Sequence, residues 1–146
     1  FIIAYIAVIS YNKVNSDTRK FIFKAIKKIG NEFELITADA FKEDFLLLFT
    51  LNNGKIYIGW VKELPIPSVS KYLRIIPAIS GYRNEMKEVK LTTHYLNVYA
   101  NLIRNGNIKS VKDVNFDIVL DIDAIISVSY FDPSLYSVFN DIRPKV

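Results

Sequence analysis

Hydrophobic and polar positions alternate most regularly from Phe45 to Val61, FLLLFTLNNGKIYIGWV, where two strand-like runs meet at Asn53-Gly54, a pair suited to a tight hairpin turn. Gly59 interrupts the second run between Ile58 and Trp60. An isolated glycine inside a strand predicts a bulge or a sharp bend. Upstream the period changes. Asn15, Ser16 and Asp17 can cap a helix in which Phe21, Ile22, Ala25, Ile26 and Ile29 recur on one face, with Gly30 as its end. Asn31 and Glu34 have the spacing of a capping box, which predicts a second, shorter helix to about Phe41 with Phe33, Ile36 and Ala40 on one side.

Strands dominate the remainder. Leu64 to Pro67 reads as a rigid extended connector, because each proline fixes its own φ and biases its predecessor away from helix. A third strand is expected from Lys71 to Ile76, stopped at Pro77, followed by a loop from Ser80 to Glu85 and a fourth strand from Glu88 to Thr93. The segment from His94 to Leu102 fits strand or helix, and Arg104 to Asn107 reads as a turn. A fifth strand lies within Val111 to Leu120, centred on Phe116 to Leu120, and a sixth runs from Ile125 to Tyr130. Asp132 and Pro133 then open a terminal helix through Phe139.

The pattern predicts an α+β chain: N-terminal helices, a small and mostly antiparallel β-barrel of five to six strands, and a short C-terminal helix. A closed or half-open barrel is expected, because closure removes edges that would otherwise pair with other chains. The hydrophobic content, 51% of 146 residues, excludes a disordered tail and supports one domain, residues 13–146. Residues 1–12 stand apart, since Phe1 to Tyr11 carries no charge. That run is either the end of a transmembrane helix, a full span needing roughly 20 apolar residues, or a buried strand in which Ile3, Tyr5, Ala7 and Ile9 alternate.

The formal charge of +4 is a modest excess that favours anionic partners. It is concentrated just after the apolar run, where Lys13, Arg19, Lys20, Lys24, Lys27 and Lys28 are opposed only by Asp17. Lys20, Lys24, Lys27 and Lys28 form the polar face of the first helix, available to water, to anionic lipid headgroups or to another phosphate.

Catalytic groups are sparse. There is no cysteine and one histidine, so thiolate chemistry and a structural zinc are excluded, and His94 reads as a surface or structural residue more readily than as part of a proton relay with Thr92, Thr93 and Tyr95. Asp113, Asp117, Asp121 and Asp123 offer oxygens to a hard cation, yet polar strand positions explain them as well, and no metal or cofactor is assigned. No phosphate loop occurs, the glycines being dispersed. What remains is non-enzymatic recognition of an anion. Ser80, Tyr82 and Arg83 supply a hydroxyl, a ring and a guanidinium within a short stretch, and Tyr72 and Arg74 extend that surface from the preceding strand. The competing reading is that Tyr82 and Arg83 merely cover a loop. Tyr57 and Trp60 fall on opposite faces of their strand, which places one of them in the core.

The hairpin LLLFTLNNGKIYIGWVKEL resembles the first two strands of an Sm-like or SH3-type barrel. With LRIIPAISGYRNE, KLTTHYLNVY and IDAIISVSYFDP, the chain also resembles bacterial membrane-anchored proteins with a cytosolic barrel domain. Its layout of apolar segment, basic helix and small soluble domain is similar to that of the membrane-bound accessory effectors of type III CRISPR systems, whose soluble domain senses cyclic oligoadenylate. That resemblance implies a sensor in antiviral defence at the cytoplasmic face of the bacterial inner membrane, binding an anionic nucleotide or short RNA as a symmetric homo-oligomer. The alternative is an SH3-like scaffold of a membrane complex that takes no small ligand.

Overall fold

The computed structural model describes residues 2–141, with side chains from residue 16 to residue 139. Its first helix, α1 (Ile2–Ile29), runs unbroken through the uncharged segment and the basic one. This corrects the strand alternative for Ile3 to Ile9, whose backbone is helical, and merges two expected segments; Phe1 lies outside the described residues. No helix among the described residues is long and apolar enough to cross a membrane. Only part of the expected apolar face of α1 is used: Ile26 is fully buried, whereas Phe21 and Ile29 are 75% and 64% exposed.

Helix α2 (Glu32–Glu43) begins with the capping box that its sequence predicts. The Asn31 side chain accepts from the Glu34 backbone N–H at 2.9 Å and the Glu34 carboxylate accepts from the Asn31 N–H at 2.9 Å. Across the short link Lys27 Nζ lies 2.6 Å from the Asp39 carboxylate and 5.6 Å from the Phe23 ring centroid, so Lys27 ties α1 to α2.

Strands β1 (Leu47–Leu51) and β2 (Lys55–Val61) form the expected hairpin, and Gly54 takes φ +81° in its turn. The Gly59 bend is also present, as a register shift between Ile58 and Gly59 against the third strand. That strand, β3 (Tyr72–Arg83), corrects two expectations, because it passes through Pro77 and continues through the segment read as a loop from Ser80. Pro77 is tolerated because it falls in a gap on the second edge of β3. There β4 (Val89–His94) pairs from Ile79 onward and β5 (Ile118–Asp121) pairs only as far as Ile75. The true turn is one step later, with the Lys87 N–H donating to Asn84 O at 2.9 Å.

Helix α3 (Leu96–Arg104) settles the ambiguous segment, and a 3₁₀ turn at Val111–Asp113 replaces the first part of the expected fifth strand. A second 3₁₀ turn, Ile122–Ala124, joins β5 to β6 (Ile125–Tyr130). Helix α4 (Pro133–Asp141) starts where expected, the Asp132 carboxylate accepting from the Ser134 and Leu135 N–H groups.

The strand order is β4-β3-β2-β1-β6, with β5 paired to the first part of β3 and every ladder antiparallel. No ladder joins β6 to β5 among the described residues, so the sheet is not closed into a barrel. The fold is α+β, with four α-helices and one six-stranded sheet. Leu47, Phe49, Val61, Leu73, Ile75 and Leu120 build the main core under α2, with Tyr57 against it. Ile76, Tyr99 and Val114 build a second core with Trp60. Adjacent residues of β2 and β3 thus serve different cores, as strand alternation requires.

Candidate functional site

The residues proposed from sequence do not converge on one site. Tyr72 and Arg74 stand at the start of β3, whereas Ser80, Tyr82 and Arg83 stand at its end. At about 3.3 Å per residue the eight-residue step from Arg74 to Tyr82 spans roughly 25 Å. Arg74 is already engaged, 3.4 Å from the Glu63 carboxylate and 3.1 Å from that of Asp117. Ser80 is 1% exposed and its hydroxyl lies 3.3 Å from the Tyr95 hydroxyl, which makes it an internal partner. Arg83 donates to the Lys87 carbonyl at 3.0 Å and so braces the β3–β4 turn.

Tyr72 and Tyr82 both present rings to solvent, and Tyr82 is the one flanked by cations. Register places Lys55 and Lys90 directly across from it on β2 and β4, a cation on either side of an exposed aromatic. Both lysines are partly occupied, Lys55 over the Tyr57 ring at 5.4 Å and Lys90 beside Glu88 at 3.2 Å. Burial, then the nearby Tyr95, raises the Tyr57 hydroxyl pKa, and the same causes push that of Tyr99 up to about 12.

On α1, Lys20, Lys24 and Lys28 recur every fourth residue, a file along one face. All three are exposed, and none makes an ion pair among the described residues. Lys27 is excluded from this file by its contacts with Asp39 and Phe23.

His94 is exposed at the end of β4. The aspartates serve structure. Asp113 accepts from the Lys109 and Ser110 N–H groups, Asp117 holds Lys62 and Arg74, and Asp121 accepts from the Asp123 N–H. Asp121 ends β5 and Asp123 lies in the 3₁₀ turn that follows. Among the described residues no group of three or more such side chains is placed to hold a metal ion.

A cleft of about 700 Å³ lies elsewhere, between α1, the end of α2, the end of β2 and the Val111–Asp113 turn. Phe41, Trp60, Val61, Ile76 and Val111 supply apolar walls, and Arg19, Lys62 and Lys112 supply cations. Sequence reading missed this assembly because its members come from five separate segments. One signal was legible: Arg19 precedes the buried Ile26 by seven residues, about two helical turns, and therefore shares its face. No protein-family model, curated protein or solved structure matches the chain.

Proposed function

We propose that this chain is a non-enzymatic, membrane-tethered recognition domain whose basic helix rests on an anionic lipid surface. The observation that carries the reading is the file of Lys20, Lys24 and Lys28, without an ion pair among the described residues and with Phe21 exposed beside it. Like charges four residues apart repel, so the file weakens the isolated helix and gains from an external layer of anions. An exposed phenylalanine adds what a phosphate polymer would not reward, insertion among headgroups and acyl chains. Each lysine near such a surface contributes about 1 kcal/mol.

The sheet fits an opened Sm-like or SH3-type barrel. In support, β6 ends the strand path, β5 pairs with the first part of β3, and the two are joined by a single 3₁₀ turn, the Ile122 N–H donating to Lys71 O at 2.9 Å and the Asn52 N–H to Ala124 O at 2.8 Å. The non-enzymatic reading is supported by the aspartates' engagement in caps and ion pairs.

Sedimentation with vesicles tests the proposal. The chain is expected to pellet with vesicles containing one quarter phosphatidylglycerol and to be released by high salt. Replacing Lys20, Lys24 and Lys28 together by Gln should weaken binding on the order of 100-fold. Equal binding to purely zwitterionic vesicles, or no effect of the triple substitution in a variant of unchanged circular dichroism, would overturn it.

A second reading adds a ligand: a sensor of an anionic nucleotide such as a cyclic oligoadenylate or a short RNA, working as a symmetric homo-oligomer. The cleft favours this over a scaffold without a small ligand, because an assembly scaffold needs no concavity of that size.

A further inference from the structure

We propose that the cleft between α1 and the Val111–Asp113 turn binds a small ligand with a planar ring and a phosphate, of the mononucleotide class. The proposal deepens the sensor reading by giving it a site, away from the residues first suspected at the end of β3. The cleft's volume of about 700 Å³ falls within the range of small-molecule sites, roughly 300–1,000 Å³. Its lining combines apolar walls with an equal number of charged side chains of both signs.

Two features define the ligand class. Trp60 is half-buried between its core partners and the cleft, a flat surface on which a base can stack. The charges around it compensate one another except at one point. Lys112 lies 2.7 Å from Asp44, Lys62 lies 3.0 Å from Asp117, and Glu63 lies 3.4 Å from Arg74. Arg19 has no such partner among the described residues. Its guanidinium is the cation left over, and its planar fork matches a phosphate in two parallel hydrogen bonds. An uncharged ring would leave Arg19 unanswered, and inorganic phosphate would leave the apolar walls wet.

Trp60 is the single tryptophan of the chain, so selectively excited tryptophan emission reports on this cleft alone. The full chain is titrated with adenosine monophosphate, adenosine and inorganic phosphate in parallel, with calorimetry beside fluorescence. Adenosine monophosphate is expected to quench Trp60 saturably. Adenosine should do so about tenfold more weakly, having lost the charge-assisted contact, and inorganic phosphate should leave the emission unchanged. Arg19→Ala is expected to weaken adenosine monophosphate about tenfold and leave adenosine unaffected. Arg19 is exposed and alanine favours helix, so the variant keeps its fold.

Heat of nucleotide binding without quenching, or affinity indifferent to Arg19→Ala, would place any site elsewhere and overturn this proposal while the sensor reading stands. No binding of adenosine monophosphate at millimolar concentration overturns the cleft assignment. If cyclic oligoadenylates and short RNA then also give no heat, the sensor reading falls with it.

Discussion

A methyl group added at Gly59 would lie 2.4 Å from the Ile76 carbonyl oxygen and 3.1 Å from the Pro77 Cα, both backbone atoms of the neighbouring strand. Neither can swing aside, so Gly59→Ala must separate β2 from β3 where the two cores meet. It is expected to cost about 3 kcal/mol or more in thermal denaturation. At Gly54, by contrast, the nearest atom would be 3.6 Å away, and only the backbone strain of φ +81° opposes a side chain, about 1–2 kcal/mol. A different residue governs alkaline stability. Tyr99 is 3% exposed, its hydroxyl donates to Pro77 O at 2.8 Å, and burial holds its pKa at about 12 against an ordinary value of 10.0. The unfolded chain loses this proton first, so stability is complete below pH 10 and falls by about 1.4 kcal/mol per unit as pH rises toward 12. Denaturant midpoints across that window should show this slope, reduced in Tyr99→Phe.

Among the elements, those set by neighbouring residues were legible in the sequence. The Asn31–Glu34 box, the Asn53-Gly54 turn and the Asp132 cap each act over a few residues, and each appears where the pattern puts it. Elements decided at a distance were not. Pro77 reads as a stop, yet it sits in β3 because the strands on that edge leave a gap there. Glu34 shows the same limit from the other side: its capping role was visible, but its second partner, the Ser68 N–H at 2.7 Å, lies far along the chain. The connector turns at Ser68 with φ +60°, and the largely buried carboxylate of Glu34 holds that turn against the start of α2. Glu34→Ala is expected to cost about 2–4 kcal/mol, because two backbone donors lose their acceptor, and Glu34→Gln, which keeps one oxygen, about half as much. Urea unfolding with an unchanged slope checks both.

At the scale of the molecule, the basic helix face could be read from spacing alone, whereas the cleft could not. Its walls are Phe41, Trp60, Ile76 and Val111, which become neighbours only after β3 has paired with β2 and α3 has returned the chain to the sheet. The central position of β3 also bears on how the fold assembles. It carries β2 along one edge and both β4 and β5 along the other. The pairings of β3 with β2 and β4 join neighbours in the chain and close short loops, whereas β5 must return to Ile75 and β6 to Leu51 from far along the sequence. Closing those long loops costs entropy before any contact rewards it, so they belong to the late stage of folding. In hydrogen-exchange measurements, the β2–β3 amides should therefore open only with the whole domain, while the β5 and β6 amides exchange earlier through partial unfolding. Equal protection across all six strands would show instead that the sheet opens as one unit. A single strand, read from sequence as a shorter strand followed by a loop, is then the axis on which the order of assembly turns.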